Sequence, residues 1–136
     1  MRAHPLAAAL LAVSLITVPV QAQQAPTGAD EFRMSCAVCH GSDGRGDGPL
    51  AKLMTVRPAD LTLLAQRNNG EFPSEMVTET IDGRVQVSGH GTREMPVWGT
   101  RYEMDVAHQY GPFGSESVVK TRIAELVRYL QSIQQK

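Results

Sequence analysis

Apolar positions in this chain recur mostly at helical spacing and almost nowhere at strand spacing. The clearest run is near the C-terminus, where Val119, Ile123, Leu126, Val127, Leu130 and Ile133 follow one another every three or four residues. Gly111-Pro112-Phe113-Gly114 breaks the chain before it, and Ser115 is the expected N-cap of this last helix. A first helix is expected from about Gly28 to Val38, with Phe32, Cys36 and Cys39 turned inward. Asp30 and Glu31 fall in its first turn, where negative charge suits the helix dipole. A short second helix fits Asp60 to Gln66, with Pro58 before it, Asp60 as N-cap and Arg67-Asn68-Asn69-Gly70 as its stop. A third fits Pro73 to Asp82, opened by Pro73 and closed by Gly83, with Met76, Val77, Thr80 and Ile81 spaced for one face. Gly41 to Pro49 is rich in glycine and reads as a loop that turns tightly and passes close to something flat. A phosphate-cradling loop is the rival there, but no strand precedes it and no Lys-Ser/Thr pair follows it. Val85 to Thr92 reads as irregular, with room for a short extended piece, and Val97 to Asp105 is open between a helical turn and a loop. The expected class is therefore mainly α, with several short helices and long loops. Loops of that length in a small domain need something to pack on.

The N-terminal stretch changes this picture. Arg2 precedes an apolar run from Leu6 to Val18, Pro19 ends it, and Val20-Gln21-Ala22 has the small-residue form of a cleavage site. Residues 1–22 are expected to be a signal peptide, leaving one domain over residues 23–136 and a periplasmic location. The run is too short for a comfortable membrane span, and an uncleaved N-terminal anchor is the alternative. Charge is nearly balanced, with 13 basic and 14 acidic side chains. That argues against nucleic acid or an anionic membrane as partner. Aromatic residues make up only 5% of the chain, so a domain this small has a limited core of its own. A buried cofactor would supply the missing apolar volume.

Candidate chemistry centres on Cys36-Ala37-Val38-Cys39-His40, the form of a c-type haem attachment site. Each thiol can add across a haem vinyl group, and the imidazole can ligate the iron from the proximal side. On a helix, positions i, i+3 and i+4 share a face, so all three side chains can address one planar ring. A Cys36–Cys39 disulfide, a thioredoxin-like pair and half of a zinc site are the competing readings. Thioredoxin lacks its βαβ surround here, and zinc would need a second pair of ligands although there is no third cysteine. For the second axial position the candidates are Met54, Met76, Met95, Met104, His90 and His108. Met95 is preferred, because Pro96 follows it in an irregular stretch where a loop can present its sulfur. A thioether favours Fe(II) and raises the reduction potential. Met54 and Met76 read as core filler, Met104 between Glu103 and Asp105 as solvated, and His108 as a surface residue. His90 would instead give a bis-histidine haem. Trp98 either donates its indole N–H to a haem propionate or packs on the ring edge. Arg57 and Arg93 either neutralise propionates or are plain surface charge.

This pattern resembles the class I c-type cytochromes over nearly all of residues 23–136, most specifically in the haem motif and the downstream Met95-Pro96. Gly28, Phe32 and Cys36 stand four and four apart, as the family's first-helix glycine and aromatic stand to its first haem cysteine. The resemblance implies the cytochrome c fold, short helices and long loops wrapped around one covalent haem c per chain. It implies that Gly28 lets the first helix cross the last one closely, at Leu126 and Tyr129. It also implies that the carbonyl of Pro49, in Gly48-Pro49, accepts a hydrogen bond from the His40 imidazole. Two segments depart from the short mitochondrial-type pattern: Pro58 to Val87, and the stretch between Met95 and the last helix. The implied function is one-electron transfer to and from redox partner proteins in the periplasm, with His40 and Met95 as iron ligands and no catalysis by the chain itself. The first alternative is a haem c subunit of a periplasmic oxidoreductase such as a dehydrogenase. A second is a catalytic or gas-sensing haem with a labile Met95.

Overall fold

The computed structural model describes residues 26–84 and 95–135, and among them the regular structure is all helix, with no strand. The chain is mainly α, as expected. α1 spans Gly28–Ser35, α2 Ala37–His40, α3 Leu64–Arg67, α4 Ser74–Asp82 and α5 Trp98–Ser132, with 3-10 turns at Pro49–Leu53 and Leu61–Leu63. No helix among the described residues is long and apolar enough to cross a membrane. The expected signal peptide, the Val85–Thr92 segment, His90 and Arg93 lie outside the described residues.

α1 opens with a capping box. The Thr27 hydroxyl oxygen accepts from the Asp30 N–H at 3.2 Å, and the Asp30 carboxylate accepts from the Thr27 N–H at 3.1 Å. The helix ends earlier than its sequence suggests. Cys36, at φ −113 and ψ −35, interrupts it, and Cys39 and His40 continue on the separate single turn α2. The cause is a local tightening: the Cys39 and His40 N–H groups both donate to the Cys36 carbonyl, at 3.1 and 2.9 Å, so the i+3 bond shares an acceptor with the i+4 bond.

α1 lies against the C-terminal part of α5. A Cβ on Gly28 would stand 2.1 Å from the Glu125 carbonyl oxygen and 3.0 Å from the Tyr129 Cβ, so only a hydrogen fits at this crossing. The expected close approach is present, with the Glu125 backbone and the Tyr129 Cβ nearest to Gly28, and Leu126 is fully buried. Phe32, also fully buried, packs against Tyr129 with ring centroids 5.2 Å apart and the planes tilted by 45°.

A buried ion pair ties the same helices together. Glu31 is 2% exposed and accepts from Arg122 Nη2 at 2.9 Å, Arg122 Nε at 3.2 Å and Ser35 Oγ at 2.8 Å. The Arg122 guanidinium lies over the Tyr102 ring, 4.1 Å from its centroid. The Tyr102 hydroxyl is buried without a hydrogen bond of good geometry, and burial, reinforced by the Glu31 charge, raises its pKa.

α5 is bent. Gly111, at φ 67 and ψ 178, divides it into an arm from Trp98 to Tyr110 and an arm that runs on to Ser132. The expected break is there, but Ser115 is not its cap: the bend comes at Gly111, and Ser115 is fully buried within the second arm. The first arm makes Val97–Asp105 helical from Trp98 onward. Trp98, Tyr102 and Val106, each four residues apart, all pack on the core.

α4 runs from Ser74, with Pro73 as N-cap instead of first helical residue, and Gly83 closes it in the left-handed region at φ 64. Val77 and Ile81 are its buried residues, whereas Met76 is 37% exposed. The expected Asp60–Gln66 helix is a 3-10 turn continued by α3, and Asp60 caps it by accepting from the Thr62 N–H at 2.9 Å. The end of the chain returns to this turn. The Gln134 side chain accepts from the Ala65 N–H at 2.9 Å and donates to the Leu61 carbonyl at 2.7 Å.

Candidate functional site

The glycine-rich loop after His40 folds back under α2. The Gly46 N–H donates to the His40 carbonyl at 2.7 Å and the Gly48 N–H to the Cys39 carbonyl at 3.1 Å, which satisfies the open end of that short helix. A Cβ on Gly48 would come within 2.6 Å of the Ala37 and Val38 carbonyl oxygens. The surface that Gly48 hugs is thus the backbone of α2.

On the other side of the loop, Pro58 and Ala59 lie against Gly46. This brings the Ala59 carbonyl oxygen to 2.9 Å from His40 Nδ1. That contact makes Nδ1 the protonated nitrogen and leaves Nε2 with its lone pair free for a ligand. The resemblance assigned this acceptor role to Pro49, and the geometry corrects it. Pro49 is exposed at the start of its 3-10 turn, and Ala59, ten residues further on, is the residue the loop carries to the imidazole. A main-chain acceptor leaves no side-chain signal, so the sequence gives no hint of it.

His40 faces an apolar cleft of about 270 Å³, or about 830 Å³ of empty space when its open mouth is counted. α1 contributes Phe32 and Cys36, α4 contributes Met76, Val77, Thr80 and Ile81, and α5 contributes Leu126 and Leu130. Met95, from the segment that enters α5, lines the same cleft and packs on the hydrophobic core. The structure thus brings Cys36, His40 and Met95 to one cavity.

Cys39 is half-buried beside this cavity without lining it, and both cysteines carry free thiols. Burial first, and then the nearby Glu31 charge, pushes the Cys36 thiol up to about 12, so it stays protonated. Trp98 does not line the cleft: as the first residue of α5, its ring lies 5.7 Å from that of Tyr102 with the Arg101 guanidinium over it. Met76 is not core filler, because its partly exposed side chain lies on the cleft wall. Met104 is 65% exposed and His108 exposed, as expected. Arg57 is exposed, with Nε 3.4 Å from the Gly46 carbonyl.

The cleft is lined mostly by hydrocarbon, with the His40 imidazole, the Cys36 thiol, the Thr80 hydroxyl and the thioethers of Met76 and Met95 among its lining groups, and imidazole and thioether are donors that iron accepts. Among the described residues no three side chains of His, Cys, Asp or Glu converge as a metal cage, so the zinc reading finds no ligand set there. No family model, no curated protein and no solved structure matches this chain.

Proposed function

We propose that the cleft holds one covalently attached haem c and that the protein transfers single electrons between periplasmic redox partners. The observation that supports this best is the convergence of Cys36, His40 and Met95 on a single apolar cleft. Cys36 and Cys39 would fasten the ring through thioethers. His40 would present Nε2 to the iron, held in orientation by the Ala59 carbonyl on its other nitrogen. The Met95 sulfur would be the second holding group and would favour the reduced metal. Val77, Ile81, Leu126 and Leu130 line the cleft with hydrocarbon and would exclude water from the bound group. When bound, the group supplies one reversible electron through its Fe(II)/Fe(III) couple. With His40 and Met95 both given to holding the group, the chain's own role would be binding and electron transfer.

The same site serves equally in a haem subunit of a periplasmic dehydrogenase. Leu50, Leu53 and Val56, 42%, 82% and 53% exposed, leave three apolar side chains bare within one short stretch, which favours that second reading.

Expression with periplasmic haem-attachment machinery tests the proposal. One haem per chain should resist acid-acetone extraction and stain the denatured polypeptide. The oxidised protein should show a far-red sulfur-to-iron band that Met95→Ala abolishes and Met76→Ala preserves. Extractable haem, or no haem, refutes the attachment, and a band lost only in Met76→Ala refutes the ligand assignment.

A further inference from the structure

We infer that the ion-pair cluster around Arg84 is a positioning device for Met95, setting how firmly that sulfur closes the cleft. The inference rests on the haem reading above and adds to it the residue that holds the distal ligand in place.

Arg84 stands just past the end of α4. Its guanidinium grips Asp82 through two bonds, Nε to Oδ1 at 2.5 Å and Nη2 to Oδ2 at 2.8 Å. Its Nη1 donates to Glu116 Oε2 at 2.7 Å, with Glu103 Oε2 at 4.0 Å on the same nitrogen. Glu103 belongs to the first arm of α5 and Glu116 to the second, so one side chain gathers α4 and both sides of the Gly111 bend. Lys120 lies behind Glu116 at 3.3 Å. The Arg84 side chain is only 24% exposed, which limits screening by solvent.

The chain that carries Met95 enters α5 directly on this cluster. A Cβ on Gly99 would stand 2.1 Å from Asp82 Oδ1 and 2.6 Å from Arg84 Nε, so the first turn of α5 lies flush against the ion pair. Val97 lies on Gly83, whose Cβ would come 3.3 Å from the Val97 Cα. No side-chain hydrogen bond caps the start of α5 at Val97. The entry thus rests on the core through Trp98 and on the Asp82–Arg84 pair through Gly99, which stands four residues from Met95. Apolar contacts of Val77 and Ile81 already join α4 to the core, so the cluster is not needed to bring the two helices together.

The test uses the holoprotein. Arg84→Gln should raise the rate of carbon monoxide binding to the reduced protein by about fivefold, since a looser sulfur yields its position more often. It should also weaken the far-red sulfur-to-iron band. Glu116→Gln should act in the same direction but less, and Arg84→Lys should restore part of the loss, because lysine keeps the charge without the fork. Arg128→Gln, which removes the Arg128–Glu125 pair on the same helix, should change neither reading. A folded Arg84→Gln holoprotein with the parent band and the parent rate overturns the inference and leaves the haem reading standing. If Arg84→Gln takes up no haem, Glu116→Gln decides by the same two readings. A band that survives Met95→Ala overturns the ligand assignment and this inference with it.

Discussion

Gly28→Ala is the sharpest test of how α1 and α5 are joined. The new methyl carbon would stand 2.1 Å from the Glu125 carbonyl oxygen and 2.6 Å from its carbon, both backbone atoms of a buried helix crossing that no rotamer change can move. Ordinary contact needs about 3.5 Å, so α1 must retreat by about 1.4 Å. Forced overpacking of that kind costs about 1–3 kcal/mol. The same retreat opens the Phe32–Tyr129 ring contact, now 5.2 Å between centroids, worth about 0.5–1.5 kcal/mol. Alanine's better helix propensity offsets under about 1 kcal/mol, and less in a first turn. The expected net loss is about 2 kcal/mol, a fall in Tm of about 8 °C for a domain of this size. The assay is guanidinium unfolding of parent and variant followed by far-UV circular dichroism. A variant within about 0.5 kcal/mol of the parent would mean that the helices do not meet at Gly28, and the account of the crossing would fail.

Arg122→Met strands Glu31, which is 2% exposed, and should cost about 3 kcal/mol or more; adding Glu31→Gln should recover most of it, and a double variant as unstable as the single would refute the pairing. Asp30, Asp60, Asp82 and Glu116 all have carboxyls held below their ordinary values, by side-chain bonds to Thr27, Thr62, Arg84 and Arg84 respectively. Depressed carboxyls stabilise the fold above their unfolded pKa and lose that contribution as pH falls through the folded one, so unfolding midpoints should hold from neutrality to about pH 5 and decline below about pH 4. A midpoint unchanged between pH 5 and pH 3 would refute this. Gly48→Ala drives a methyl group into the α2 carbonyls and should destabilise by about 1–3 kcal/mol, and, where the proposed haem is bound, the displaced His40 should shift its Soret band. A Gly48→Ala protein with parent stability and spectrum would remove that loop from the account of how His40 is held.

Much of this arrangement was legible in the residues. The spacing of Val119 through Ile133 placed the C-terminal part of α5, and Gly28, Phe32 and Cys36 marked the face that α1 buries. The spacing of Cys36 and His40, with Met95 downstream, picked out three side chains that share a cavity. What escaped was set by tertiary partners. Val97–Asp105 read as open between a helical turn and a loop, although Trp98, Tyr102 and Val106 stand at helical spacing; what settles it is packing on the core and, at Gly99, close contact with Asp82 and Arg84. Glu31 looked like a charge placed for the helix dipole, yet its partner is 91 residues away on α5, and no local pattern carries that pairing. Met76 read as core because its neighbours do, but the helix face it shares with Val77 borders a cleft. The break at Cys36 and the Ala59 acceptor are backbone events, which side-chain periodicity does not encode.

The long separation between Glu31 and Arg122 also orders events during biosynthesis. The N-terminal helix, with its buried acid and its aromatic, has no counterpart to settle against until the final third of the polypeptide has emerged. Until that moment the cysteine-bearing turn lacks the helix that packs over α1, and the last helix then arrives as the piece that seals the fold. Truncating the chain before Arg122 should therefore yield a species that never becomes protease-resistant, and protection equal to that of the full chain would refute this order of events.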